Sequence, residues 1–258
     1  MSRPSVRHPP LVAQLPAEEA GSKQPEGPAE VEASNQQITA HPRVGPADST
    51  AVTRDQARVV FGQVMGFVAL TLGFLALGAY IGRDLSGGWG ILAFIASFGC
   101  IIGLNVASTR GNEQVAITLL FGLGLLLGLA LGPVLSSYVE ADPAPVWQAA
   151  GATGAFVASL GAVGYATRRD LSSWYRVLFW ALLGLILFGL VAIFVSIPNE
   201  NIIWAVAGLV IFGGYTILDF NRLRRSGQGE AVPIAASIFL DVLNVFLFFL
   251  QLFGGNSE

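Results

Sequence analysis

The chain is expected to be all-α and to cross a membrane seven times. Hydrophobic residues make up 53% of its 258 residues and charged residues only 12%, and mean hydropathy is +0.62, far from the balance of a soluble domain. From about residue 57 the apolar residues fall into runs of about twenty, the length a helix needs to cross the hydrocarbon core. The 31 glycines fit the same class, because helices in lipid associate through small residues that let backbones approach.

The first 55 residues are set apart as a disordered tail. Residues 1 to about 50 hold eight of the 13 prolines, five glutamates and few large apolar residues, too little apolar surface to offset the entropy of folding. The tail has no apolar core of a secretory signal, and its glutamates do not fit an acid-poor transit peptide. The membrane domain is expected over 56–254, with a short C-terminal tail over 255–258.

The seven runs lie at about 59–81, 89–107, 114–136, 146–167, 174–196, 202–221 and 232–253. Their boundaries are chemical. Ser86-Gly87-Gly88, Arg110-Gly111-Asn112-Glu113, Asp142-Pro143, Arg168-Arg169-Asp170, Pro198-Asn199-Glu200 and the stretch from Arg222 to Glu230 are polar or turn-forming. Trp89, Trp147, Trp174 and Trp204 fall near predicted span ends, the level at which an amphipathic ring is most stable. In the third run Gly124, Gly128 and Gly132 recur every four residues, which predicts a helix-packing stripe.

Arginine sets the expected orientation, because positive residues near span ends are retained in the cytoplasm. An internal N-terminus puts Arg54, Arg58, Arg110, Arg168, Arg169, Arg222, Arg224 and Arg225 on the cytoplasmic side, against Arg83 outside. The C-terminus then lies outside. With short loops and a single lysine, Lys23, the chain suits a bacterial inner membrane. Net charge is −3 and the basic residues are dispersed, which argues against nucleic-acid binding. Cys100 has no partner for an internal disulfide and reads as a small buried residue.

Two residues break the apolar pattern. Asp219 and Asp241 are acidic side chains inside the sixth and seventh runs, where an ionised carboxylate costs at least roughly 2.5 kcal/mol. Asp219 lies near the cytoplasmic end of its run. Asp241 follows Pro233, a good first-turn residue, by eight positions, or roughly 12 Å of helix rise. The two carboxylates therefore can meet in one layer, and Asn244 shares the face of Asp241. Two buried carboxylates cannot both ionise cheaply, so the pair should titrate as a unit and act as a proton-sensitive switch. His8 and His41 are both in the tail, so the membrane domain has no histidine to do this instead. The same oxygens would suit a hard cation such as calcium, which makes Asp219 and Asp241 the candidate metal ligands. The competing reading is local pairing, with Arg222 or Arg110 neutralising Asp219.

The stretches Tyr215-Thr216-Ile217-Leu218-Asp219-Phe220-Asn221 and Ile238-Phe239-Leu240-Asp241-Val242-Leu243-Asn244 resemble the C-terminal signature of the transmembrane Bax inhibitor motif family, also called the Bax inhibitor-1 family. Thr167-Arg168-Arg169-Asp170-Leu171-Ser172 and Gly128-Leu129-Ala130-Leu131-Gly132-Pro133 are similar to two further family segments. The resemblance implies six helices around a central seventh, and a pH-sensitive calcium leak with Asp219 and Asp241 as proton sensor. It implies that Arg110 lies near that pair. Bacterial members of this kind also carry an acid within span two; here the matching segment is Ser97-Phe98-Gly99-Cys100. That departure keeps a second function open, a non-conducting regulator that binds other membrane proteins such as a membrane protease or stress-response partners.

No cofactor is expected, and no enzymatic activity. Intramembrane aspartyl proteases also use two aspartates on adjacent helices, but they carry a Gly-x-Gly-Asp motif, whereas Asp241 follows Ile238-Phe239-Leu240. Expected partners are the lipid bilayer, protons, calcium ions and other membrane proteins.

Overall fold

The fold comes from a computed structural model that describes residues 46–86, 88–192, 194–195 and 199–255. Seven long helices follow one another: α1 (Pro46–Gly82), α2 (Trp89–Thr109), α3 (Glu113–Ala141), α4 (Ala144–Ala166), α5 (Trp174–Ala192), α6 (Glu200–Arg225) and α7 (Ala231–Gly254), with one 3-10 turn at Gln228–Glu230. All seven are long and apolar enough to cross a membrane, α1 over Ala57–Gly82. Among the described residues there is no strand. Most of the expected tail, and residues 256–258 at the other end, lie outside the described residues.

Several helix ends differ from the sequence expectation. α1 starts at Pro46, ahead of its apolar segment, since Pro is tolerated in a first turn and neither Pro nor Gly follows until Gly62. α3 passes through Pro133 to Ala141; lipid-embedded helices tolerate proline because neighbouring groups satisfy the freed backbone. Beyond the proline, the Ser136 hydroxyl sits 3.0 Å from the Pro133 carbonyl and 3.2 Å from that of Arg83, tying α3 to the loop that follows α1. α6 extends to Arg225, with Arg222 and Arg224 also in its last turn, where positive charge complements the helix dipole. α5 ends at Ala192, four residues before the expected boundary. The α2–α3 turn places Gly111 at φ 71°, a left-handed conformation that glycine adopts without strain.

α7 is the centre of the bundle. It packs against α2, α3, α4 and α6, and Ala231, Val232, Ile234 and Ala235 join Val60, Val64 and Val68 of α1 in one buried cluster. Phe239 is fully buried between α3 and α7. α5 is the opposite case: Leu185 is its one buried residue, and α6 is its main support. The outward faces remain apolar, as Ile91, Ile95, Phe98 and Ile102 on α2 show, each about half exposed or more. Such a surface belongs in hydrocarbon, not in water.

The glycine stripe is a backbone-to-backbone contact between α1 and α3. A Cβ on Gly124 would stand 2.6 Å from the Thr71 carbonyl oxygen, and one on Gly132 would stand 2.8 Å from that of Ala79. On Gly128 it would collide with the Leu75 carbonyl oxygen and meet the Gly78 Cα at 2.9 Å. No larger residue fits these positions without separating the helices. The tryptophan expectation divides. Trp89, Trp147 and Trp174 are 56–75% exposed at helix ends, whereas Trp204 packs between Phe188 and Phe248, with ring centroids 6.3 and 6.4 Å away.

Candidate functional site

Asp219 on α6 and Asp241 on α7 are 3% and 5% exposed, among the few buried polar side chains in the bundle. The short 226–230 connection returns the chain immediately, so α6 and α7 run side by side and bring the two carboxyl groups within hydrogen-bonding reach of each other. Small residues make room. Gly213 and Gly214 take the side chains of Phe156, Leu160 and Leu178 against their backbone, which draws α4 and α5 onto α6.

The two acids have different surroundings. Tyr175, in the first turn of α5, donates its hydroxyl to Asp219 Oδ1 at 2.5 Å. Ser237, one turn before Asp241 on α7, supplies a second hydroxyl contact to Asp219, and the charge of Arg222 acts on it. That charge is shared, because Arg222 also pairs with Glu230 at 3.4 Å. Asp241 has Asp219 as its polar neighbour, and its Oδ2 is buried with no hydrogen-bond partner among the described residues. An unsatisfied buried acceptor of this kind costs about 1–3 kcal/mol. Asp241 is thus the site's least compensated group.

Arg110 and Asn244 do not complete this cluster. Arg110 is exposed at the C-terminal cap of α2, and the cation that acts on Asp219 is Arg222. The Asn244 amide donates to the Leu240 carbonyl of its own helix at 2.7 Å. Tyr175, Tyr215 and Ser237 were not singled out from sequence. Tyr215 stands one turn before Asp219, its ring 6.2 Å from that of Tyr175. A helical spacing of four from Asp219 and from Asp241 was the available signal for Tyr215 and Ser237; Tyr175 had none, being 44 residues away.

A hydrogen-bonded clamp closes the Arg-rich end of the site. Asn221 is 1% exposed; its amide faces the carbonyls of Thr167, Arg169 and Gly164 at 2.8, 3.2 and 3.4 Å. Arg225 bonds the Asn221 side-chain oxygen at 2.9 Å and pairs with Asp170 at 2.8 Å, while Arg224 donates to the Thr167 carbonyl at 3.0 Å. The Ser172 amide, and then Arg225, hold the Asp170 carboxyl below the usual carboxylate range. The clamp ties the loop that leads into Tyr175 to the helix that carries Asp219.

Among the described residues no group of three or more His, Cys, Asp or Glu side chains could hold a metal ion. The site offers two carboxylates and two hydroxyl-bearing neighbours, fewer than the six to eight oxygens of a tight calcium site.

The sequence profile of the family described as inhibitor of apoptosis-promoting Bax1 matches residues 57–258, the whole membrane domain. An uncharacterized membrane protein of Streptococcus pyogenes serotype M1 is 27% identical over 175 residues, 65% of this chain and 71% of its own length. A protein of Deinococcus radiodurans is 28% identical over 221 residues, 80% of this chain and 94% of its own. A membrane protein of Vibrio cholerae is 29% identical over 145 residues, 55% and 65% of the two chains.

Proposed function

The chain belongs to the family of inhibitors of apoptosis-promoting Bax1, and on that premise we propose that it is a pH-sensitive calcium leak gated by Asp219 and Asp241. The observation that carries this reading is the burial of both carboxyl groups side by side, with no cation beside Asp241 among the described residues. A buried acid pair changes charge by gaining or losing a proton, and the cost of holding two like charges in low dielectric makes that change matter for helix packing. Protonation favours α6 and α7 in contact. Loss of the proton drives them apart and leaves oxygens for a passing cation. The sparse ligand set suits passage better than storage, since tight binding would stop the ion leaving.

The distribution of arginine supports a cytoplasmic placement of the site. Arg168, Arg169, Arg222, Arg224 and Arg225 all lie at the end where the clamp forms, joined by Arg176 in the first turn of α5. This supports an N-terminus inside and a C-terminus outside a bacterial inner membrane.

The deciding experiment is calcium flux into proteoliposomes of the pure protein between about pH 6 and 8, for wild type, Asp219→Asn and Asp241→Asn. The leak reading expects wild-type flux to vary with pH and both variants to flatten that variation. Unchanged pH dependence in Asp241→Asn would remove the pair from the gate.

One observation favours a second reading, a non-conducting regulator of other membrane proteins: α2 contains no acidic residue anywhere from Trp89 to Thr109. Absence of flux at every pH, with a membrane partner recovered by cross-linking in cells, would establish that alternative.

A further inference from the structure

Between α1 and α4, with α7 as its floor, lies a cleft of about 1000 Å³ that is apolar over nearly all its surface. It runs from Arg58 to Ala79 along α1, 21 residues or about 32 Å of rise, comparable to the hydrocarbon thickness of a bilayer. Its polar groups are unevenly placed. Arg58 and Tyr165 line the same end, where the Tyr165 ring packs edge-on against Phe61 at 5.2 Å, one helical turn above Arg58. Arg58 is exposed at this end, and among the residues described with their side chains no carboxylate lines the cleft.

We infer that this cleft binds a glycerophospholipid of the leaflet that borders Arg58, with its phosphate on Arg58 and Tyr165 and an acyl chain along α4. One charged end and a long apolar remainder reproduce the amphipathic pattern of such a lipid, and a basic group between membrane helices is a recurrent headgroup site. Chemistry favours a lipid over the other occupant such a groove admits, a docking helix. Thr153, buried in the cleft wall with no hydrogen-bond partner for its hydroxyl among the described residues, would suit a polar group of a docking helix. A helix in hydrocarbon, however, bonds its backbone groups within itself, and its apolar face supplies no anion to the basic end of the cleft at Arg58. Spread over its length, about 1000 Å³ leaves a cross-section suited to one or two extended hydrocarbon chains. Val242 and Leu243 form part of the floor, so a bound chain presses on the helix that carries Asp241.

The test uses the full-length protein in vesicles containing a phosphatidylglycerol with a photoactivatable group on its acyl chain, titrated over mole fraction, with adducts mapped by peptide mass spectrometry. Adducts on residues 154–162 of α4 and 242–246 of α7 are expected to saturate and to exceed those on the exposed face of α5 at least fivefold. Gly154→Phe, whose side chain enters open space in the cleft, should reduce them at least fivefold, and Arg58→Gln should shift saturation to several-fold higher mole fraction. Gly184→Phe, equally unobstructed on α5, should leave them unchanged. If Gly154→Phe does not fold, the wild-type saturation curve and Arg58→Gln decide the matter. Adducts that rise linearly and follow exposure alone would reduce the cleft to bulk lipid contact and overturn the proposal. Capture of a second polypeptide by a photoreactive residue at Ala158 would assign the cleft to a helix and overturn it equally.

Discussion

The Tyr175 hydroxyl donates to Asp219 from a different helix, at 2.5 Å, and so connects the buried acid pair to the loop that precedes α5. Tyr175 stands five residues after Asp170, which Arg225 of α6 holds at 2.8 Å. One side of the pair is therefore positioned by two helices and a clamped loop, while Asp241 Oδ2 has no hydrogen-bond partner among the described residues.

Tyr175→Phe removes the hydroxyl and keeps the ring. The loss of a hydrogen bond to a buried carboxyl group is expected to cost about 1–3 kcal/mol, seen as a fall in unfolding temperature of the detergent-solubilised protein. The pH midpoint of calcium flux should move by roughly one unit or more in the same variant. A variant equal to wild type in both readouts would make the bond incidental.

Arg222 and Arg110 separate geometry from resemblance. Arg222→Gln should alter the pH response of flux, because its charge acts on Asp219. Arg110→Gln, exposed at the cap of α2, should leave that response within experimental scatter. The reverse outcome would show that Arg110 reaches the pair in another conformation of the bundle.

The Asp170–Arg225 clamp has a pH window of its own. Because the folded Asp170 carboxyl is held below its ordinary value of 3.8, its contribution is present above that value and is lost as pH falls through the lower, folded one. Nothing changes at this residue between pH 6 and 8. Asp170→Asn should therefore loosen the loop, read as faster amide exchange over residues 167–173, and leave the shape of the flux–pH profile intact. A changed profile would place Asp170 in the sensing circuit.

Asn221→Ala strips the carbonyls of Gly164, Thr167 and Arg169 of a shared amide donor. The Thr167 carbonyl keeps Arg224 as a donor, so the loss should destabilise the protein by about 1–3 kcal/mol, with protease sensitivity appearing first in the loop between α4 and α5. Cleavage beginning elsewhere would mean that Arg224 and Arg225 suffice to hold the loop.

Gly128→Leu tests the α1–α3 contact. Its Cβ alone collides with the Leu75 carbonyl, so the helices must separate; reduced folded yield and a lower unfolding temperature are expected. Gly62→Leu, with nothing within 4 Å of its Cβ, is the control and should be near neutral.

Much of this was legible in the chain because it rests on local composition. Seven apolar runs give seven spans whatever their neighbours, since every backbone group in hydrocarbon must be bonded within its own helix. Gly124, Gly128 and Gly132 repeat at a spacing that only a close helix contact requires, and Asp219 and Asp241 are conspicuous because charge is costly in lipid. What the tertiary structure decided is which faces meet. A helix that is apolar all round carries little periodic signal to distinguish its packed side from its lipid side, so Trp204 read as an interfacial ring although it packs against Phe248. The choice of Arg222 over Arg110 beside Asp219, the reach of Tyr175, and the grip of Asn221 on a loop more than 50 residues away all depend on how helices are rotated about their axes. That rotation is settled by the fit of small and large side chains between neighbours, a property of the assembled bundle and not of any one segment.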